Sequence, residues 1–563
     1  MITTKSIGGQ EINMKVALVT MNVLQGKCEE NFSFMMDKIQ QAKKDHVDII
    51  VFPQNAISGY LLGDQWLDDA WCRYVDSFNE RLVEESEDIA IVWGNIRYRN
   101  QRRFNAAFFA YQKKTHMRVK KNVNADYQCD ARYFEESSIN SAIGFKNYVL
   151  ALNFQNEITL ADLNINIDAH PYDMEEANDL YGNVVYVNAV GMQNQGKNVM
   201  VMQGGSYVHN QRKLLYQAPY FQADYAVVDI HAQKEVQPQK KHLLDALTLG
   251  IREFDKQIFN AKMPWIIGLS GGLDSSVSCA LLAYALGAKR VHGFNMATKY
   301  NRDTTISNAQ KEAAALGIHY HDGSIQMLVD ASRDTFLKEY GFDAQKDSTL
   351  VMENIQARAR GYLLGGFAGI LGGVIANNGN KVEYMLGYCT LYGDSVGALS
   401  LIGDLTKVQL FALAEELNKR FAKEVVPMNL LPVLEENKLH WEMAPSAELK
   451  EDQYDPMKWF YHDYLVDHLG RNLDVLSLME GYLNHTLEEE LMKWIKYYQL
   501  DEPQNFIKDL DWFLNTASRN GFKRLQTPPM LCVHKRSLAS QIDAQMQVDR
   551  TQYEQLKQRI LAM

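Results

Sequence analysis

The loop Ser270-Gly271-Gly272-Leu273-Asp274-Ser275-Ser276 follows the apolar run WIIGLS (265–270) and precedes a segment, 275–286, whose apolar residues recur with helical spacing. A strand that turns through paired glycines into a helix admits few folds, because the helix must then cross over a sheet. The pattern repeats downstream, with VHGFNM (291–296) as a strand and 308–316 as a helix. A helix over about 242–260 leads into this series, and the pattern turns mainly helical after about Asn429. The alternation predicts a doubly wound parallel sheet.

The loop also carries chemistry. Gly271 and Gly272 let the backbone approach an anion, and the N–H groups of a helix N-terminus face it. Ser270, Ser275 and Ser276 add hydroxyls. Asp274 is unwelcome beside bare phosphate, so its role is to hold magnesium that bridges phosphates. No lysine follows the second glycine, which argues against γ-phosphate transfer of the GxxxxGK[ST] kind. Alone, the loop also suits an ordinary glycine-rich turn with a capping serine.

The preceding half reads differently. Short apolar runs at 16–24, 47–54, 89–98, 105–112, 148–154, 158–167, 183–190 and 225–230 predict strands, and 31–44 a helix. This is a β-rich α/β domain in layers over 14–230. The polar segment 231–241 is the linker, and 242–545 forms the second domain with its helical C-terminal part.

The bulk numbers exclude several classes. The chain has 563 residues, too many for one core. A net charge of −11 argues against broad nucleic-acid binding. The six cysteines are scattered and form no CxxC pair, which leaves a zinc site or disulfide framework unsupported and fits a reducing, cytoplasmic setting. No apolar run suits a signal peptide. GYLLGGFAGILGGVI (361–375) is shorter than a membrane span and is expected to be a buried helix.

The loop resembles the SGGxDS signature of ATP pyrophosphatases. TLVMENIQARAR (349–360), GNKVEYMLGYCTLYGD (379–394) and FKRLQTPP (522–529) narrow the resemblance to NAD synthetases, with weaker support from MATKYNRDTT (296–305), DLTK (404–407) and PSAEL (445–449). The resemblance implies an adenine nucleotide α-hydrolase-like domain that amidates deamido-NAD with ATP and ammonia, releasing AMP and pyrophosphate. It implies Asp274 and Glu383 as magnesium ligands and, with Lys407, as catalytic residues. It implies Ser270, Gly271, Gly272, Asp274, Ser275, Ser276, Met296, Asn378 and Lys407 around ATP, and Asn354, Arg358, Glu383 and Lys523 around deamido-NAD. Asn378 stands where many members have threonine, and Ala297 where proline is common. The cluster His534-Lys535-Arg536 is expected to be an exposed or interface patch.

Residues 14–230 resemble the nitrilase-like glutaminase domain, an αββα sandwich. The resemblance is carried by FPQNAISGY (52–60), Asn105-Ala106, Lys121 with RYF (132–134), NINIDAHPY (164–172) and YVNAVGMQNQ with QGGSYV (186–208). Such domains use a Glu-Lys-Cys triad. Here Gln54 occupies the glutamate position, and no cysteine lies between Cys129 and Cys279. No Cys, Ser or Thr falls in Asn153–Asn156, where the nucleophile is expected. Lys121 is the retained lysine, with Lys120 as the competing assignment, and Cys129 the contrary candidate for a relocated nucleophile. The expectation is a pseudo-glutaminase domain, with ammonia from solution or from a separate glutaminase. A homo-oligomer without nucleic-acid or membrane partners is implied. Two alternatives stay open: amidation of another carboxylate, and a non-catalytic regulatory or scaffold role.

Overall fold

The computed structural model describes residues 14–121, 130–137, 142–174, 182–211, 213–347, 349–435, 438–446, 448–450, 455–469, 473–534, 537–540 and 549–563. The chain divides into two compact units. The first comprises Met1–Glu253 with Val533–Lys535, and the second Phe254–Cys532 with Arg536–Met563. The division falls inside the helix Leu243–Phe259.

The first unit is built on two six-stranded sheets. One runs Asp224–Asp229, Lys15–Thr20, Ile49–Val51, Ala90–Arg99, Arg102–Tyr111, Lys114–Val119 in spatial order. Its middle strands are parallel and its flanks antiparallel. The other runs Lys213–Gln217, Tyr207–Asn210, Val184–Asn188, Leu163–Asp168, Tyr148–Phe154, Ile143–Phe145. Val16, Leu18, Val51 and Val92 from the first sheet share one core with Leu150, Leu152, Ile165 and Val187 from the second. Alternating side chains put those residues on the facing sides, so the apolar surface of each sheet is removed from water by the other. The helix Asp69–Glu84 packs on Ala90–Arg99. Its buried Asn79 donates to Ile96 O at 3.0 Å and accepts from the Trp93 indole at 2.9 Å.

The apolar run 158–167 does not form one strand. Asn164 Oδ1 accepts from Thr159 N at 3.0 Å, and Asp162 accepts from Val149 N at 2.8 Å. These side-chain bonds hold a turn, and the strand begins at Leu163.

The second unit carries six parallel strands in the order Met530–Cys532, Leu399–Ser400, Val374–Asn377, Trp265–Gly268, Val291–Ala297, His319–Ser324. The first strand of this unit, Trp265–Gly268, lies between the second and the fourth. Connections therefore leave it and Val374–Asn377 in opposite directions, which opens a crevice beyond their C-terminal ends. A second core of this unit is helical. Leu465, Leu478, Trp494, Phe506, Leu510 and Ile560 are among its buried residues.

The helix expected to be buried over 361–375 differs in two ways. It spans Thr349–Leu371 and gives way to the strand Val374–Asn377. Ile355, Ala359 and Leu364 pack with Phe294 and Met296, but Tyr362 is 73% and Ile370 80% exposed. A single sheet face accepts only one side of a helix, so an apolar helix laid on it keeps its other side outside. Among the described residues no helix is long and apolar enough to cross a membrane. His534 is 1% exposed, so of the expected exposed or interface patch the exposed alternative fails at this residue. Lys535 and Arg536 lie outside the described residues, as does Cys129.

Candidate active site

The loop after Trp265–Gly268 is shaped by its glycines. Gly271 has φ +81°, and a Cβ there would lie 2.0 Å from Thr305 O on the helix Asp303–Leu316. Gly272 has φ −91° and meets only Ser270 Oγ at 3.4 Å. Gly271→Ala is therefore expected to lower stability by about 2 kcal/mol or more, and Gly272→Ala by less than about 1. Urea unfolding of the two variants checks the contrast.

The loop is pre-ordered by its own hydroxyls. Ser275 Oγ accepts from Ser270 N at 3.2 Å and donates to Gly272 O at 3.0 Å, while Ser270 Oγ accepts from Gly272 N at 3.2 Å. The helix Leu273–Leu286 starts at once, with Asp274 in its first turn. Ser276 is fully buried and faces Glu312, whose carboxyl is pushed up to about 8 by burial. Gly271 and Ser276 thus support the loop from behind.

A cavity of about 430 Å³ opens on this loop within the second unit. Ser270, Gly272, Asp274, Ser275, Met296, Asn354, Asn378, Glu383, Lys407 and Lys523 all line it. Arg358 does not: it is exposed and donates to Leu391 O at 3.3 Å, while Arg360 lines the cavity instead. A helix repeats every 3.6 residues, so positions two apart face different ways.

A cluster of charged groups meets beside the loop. Lys407 Nζ lies 2.6 Å from Asp274 Oδ2 and 5.0 Å over the Trp459 ring. Burial pulls its pKa down, but the carboxylates of Asp274, Glu383 and Asp455 more than offset this and hold it above the usual lysine value. Glu383 is raised well above the carboxylate range by burial and then by Asp274, with Lys407 opposing. Glu383 sits in a capping box: its carboxylate accepts from Asn380 N at 3.1 Å, and Asn380 Oδ1 accepts from Glu383 N at 3.0 Å. Asn380 Nδ2 is 3.5 Å from Asp274 Oδ1.

Amides and further charged groups, among them Arg360, Asp394, Glu448 and Lys523, line the rest of the cavity. Asn378 Nδ2 donates to Gly268 O at 2.9 Å, and its Oδ1 is buried with no hydrogen-bond partner among the described residues. Such an acceptor, lining a cavity, is ready for a ligand N–H. Asn354 Oδ1 accepts from Thr390 Oγ1 at 2.8 Å. Lys523 Nζ donates to Gly387 O and Cys389 O, both at 2.7 Å, so its position is set by backbone carbonyls. Glu448, 6% exposed, accepts from Thr305 Oγ1 at 2.8 Å and from Arg302 N at 3.3 Å. It clamps the segment against which Gly271 packs.

Asp455, Trp459 and Asn380 were not legible as site residues. Asn380-x-x-Glu383 carries a capping-box signal that identifies Asn380 in retrospect. Asp455 and Trp459 belong to a segment with no motif of its own.

Magnesium binds through one or two carboxylates together with phosphate oxygens and water. Asp274 and Glu383 meet that requirement. Among the described residues no group of three or more His, Cys, Asp or Glu side chains forms a ready metal cage.

In the first unit, Gln54 is 1% exposed, and both ends of its amide lack a hydrogen-bond partner among the described residues. Lys120 is buried, 2.8 Å from Asp130 and 3.1 Å from Tyr60 Oη. Lys121 is half-buried, so Lys120 is the lysine inside the sandwich. Asn153, near the end of Tyr148–Phe154, is fully buried and bonded to Arg118 and Asn164.

Residues 247–495 match the NAD synthase family model. A glutamine-dependent NAD(+) synthetase from Synechocystis is 27% identical over 582 residues, 93% of this chain and 97% of its own length. An NH(3)-dependent NAD(+) synthetase from Trichlorobacter lovleyi is 36% identical over 190 residues, 34% of this chain and 60% of its own. The structure of a glutamine-dependent NAD(+) synthetase from Cytophaga hutchinsonii superposes with a TM-score of 0.76 at 14% identity, covering 97% of this chain and 100% of that one. The fold is thus a mixed α/β architecture shared with that structure, with a parallel sheet in its second unit.

Proposed function

We propose that the chain is an ATP-dependent NAD synthetase whose N-terminal domain is a pseudo-glutaminase. The observation that carries the first part is the convergence of Asp274, Glu383 and Lys407 on one cavity beside the phosphate loop. The family match over the same residues supports it.

The nicotinate carboxylate of deamido-NAD attacks the α-phosphorus of ATP. A C–O–P linkage forms, the α–β phosphoanhydride breaks, and pyrophosphate leaves. Ammonia then attacks the acyl carbon, the C–O bond to AMP breaks, and a proton is lost as the amide forms. A carboxylate is a poor electrophile, and adenylation makes it a good one.

The loop N–H groups and Lys407 take the phosphates, with charge placed before the reaction begins. Asp274 and Glu383 would hold magnesium, which when bound would supply positive charge against the phosphates. The free Oδ1 of Asn378 accepts from the nucleotide. Met296 packs beside it. Asn354 and Lys523 face deamido-NAD. Arg358, exposed and outside the cavity lining, is not assigned to deamido-NAD, and Arg360 lines the cavity in its place.

The nitrogen comes from free ammonia or from a separate glutaminase, because Gln54 and the segment Asn153–Asn156 lack the triad's base and nucleophile. The domains are 14–230 and 242–545, joined by 231–241. The protein acts in the cytoplasm as a homo-oligomer.

Pyrophosphate release from a panel of carboxylates tests the substrate assignment. Deamido-NAD is expected to exceed nicotinate, aspartate and xanthylate by at least about 100-fold in kcat/KM. A preference for another carboxylate would overturn it.

A further inference from the structure

Glu383 and Lys407 sit in the first turns of two different helices, Lys381–Leu386 and Lys407–Phe421. For both to reach Asp274, the spacing between those helix starts has to be held. A third helix, Tyr461–His468, packs against the first and hydrogen-bonds to the second.

Asp467 spans the gap with one carboxylate. Its Oδ1 accepts from Lys381 Nζ at 2.8 Å, two residues before Glu383. Its Oδ2 accepts from Gln409 Nε2 at 3.3 Å, two residues after Lys407. Neither anchor is loose. Lys381 is 1% exposed and also lies 3.7 Å from Asp404. Gln409 Oε1 accepts from Thr406 N at 2.9 Å and so caps the helix that begins with Lys407.

One turn earlier, buried Asp463 accepts from Val408 N at 3.2 Å and from Phe460 N at 2.7 Å. Those bonds draw the N-terminus of the Lys407 helix onto Tyr461–His468. Immediately upstream, the Trp459 ring supports the Lys407 ammonium at 5.0 Å. Backbone, cap and side chain of Lys407 are therefore all held by residues 459–467.

We propose that the helix Tyr461–His468 is a strut that sets the spacing between Glu383 and Lys407 across Asp274, with Asp467 as its principal positioning residue. Asp467 acts through Lys407 and Glu383. It is a positioning residue for the phosphate end of the site, and the inference rests on the adenylation reading above. Misplacement of about 1 Å in a group facing the reacting atoms costs up to about 100-fold in rate. Loss of the strut should therefore appear mainly in turnover.

The test is a double-mutant cycle on the full chain, using wild type, Asp467→Ala, Lys407→Gln and the double variant. Pyrophosphate release with deamido-NAD and ammonium reads turnover, and calorimetric titration with magnesium–ATP reads binding. Asp467→Ala is expected to lower kcat on the order of 10- to 100-fold with a smaller change in KM for ATP. In the Lys407→Gln background the same substitution should cost several-fold less than in wild type, because only its effect through Glu383 remains. Losses that multiply, or an Asp467→Ala protein with unchanged turnover, would overturn the strut. Asp467→Ala strips a buried lysine of a partner and can fail to fold. Gln409→Leu leaves the Lys381 pair intact and runs the same cycle. If wild type releases no pyrophosphate, the adenylation reading fails. The magnesium–ATP cycle then still decides whether Asp467 and Lys407 act together.

Discussion

Given deamido-NAD, magnesium–ATP and ammonium, the purified chain is expected to form NAD; with glutamine as sole nitrogen donor the rate should fall below about 1% of that value. The physical reason lies in three positions of the first unit. An amidase of this design needs a base to take the thiol proton, and Gln54 has no basic lone pair at neutral pH. It needs a nucleophile at the end of Tyr148–Phe154, where Asn153 is instead locked into bonds with Arg118 and Asn164. The remaining lysine, Lys120, is spent on Asp130 and Tyr60 in the buried interior. A base alone contributes on the order of 100- to 10,000-fold, and loss of the nucleophile removes the covalent route altogether. Chromatographic quantification of NAD with each donor decides the question. Equal rates with glutamine and ammonium would refute the pseudo-glutaminase assignment. Gln54→Glu alone should restore nothing.

Asp274→Ala should lower pyrophosphate release by at least about 1,000-fold while the protein stays folded. Two effects combine. The variant loses one of two carboxylates available to magnesium. It also leaves the buried Lys407 ammonium, now 2.6 Å from Asp274, without its closest counter-charge. Lys407 is 3% exposed, so the lost pairing is not replaced by water without rearrangement. Asp274→Asn keeps the shape and a hydrogen-bond acceptor, and should be equally inactive. Circular dichroism and a stopped pyrophosphate assay on both variants separate misfolding from lost chemistry. Turnover within tenfold of wild type in either would remove Asp274 from the site.

How far the chain could be read without coordinates depended on the range of the interactions involved. The loop Ser270–Ser276 was legible because strand, turn and helix are consecutive, and local sterics require glycine at Gly271. The parallel strands of the second unit were legible where apolar runs were long, as at 265–268 and 291–297. His319–Ser324 was not, because an edge strand of polar residues has no apolar period to reveal it. The lysine of the first unit was a tie between neighbours, Lys120 and Lys121. Both follow the end of the strand Lys114–Val119, where only tertiary contacts with Tyr60 and Asp130 decide which side chain is inside. Arg358 and Arg360 pose the same ambiguity on a helix.

Residue identity and order alone gave the glycine-rich loop with Asp274, the motif positions of Glu383 and Lys407, Gln54 in place of glutamate and the absence of Cys, Ser or Thr over Asn153–Asn156. These follow from residue identity and short-range spacing. Tertiary structure alone decided which groups meet. It brought Glu383 and Lys407 to Asp274, each more than 100 residues away from it in the chain, because the strand order places Trp265–Gly268 beside Val374–Asn377. It also gave the otherwise motif-free segment 455–468 its place beneath Lys407. Hydrogen bonds such as those of Asp463 and Asp467 join residues far apart in the chain, and nothing in local propensity or periodicity encodes them.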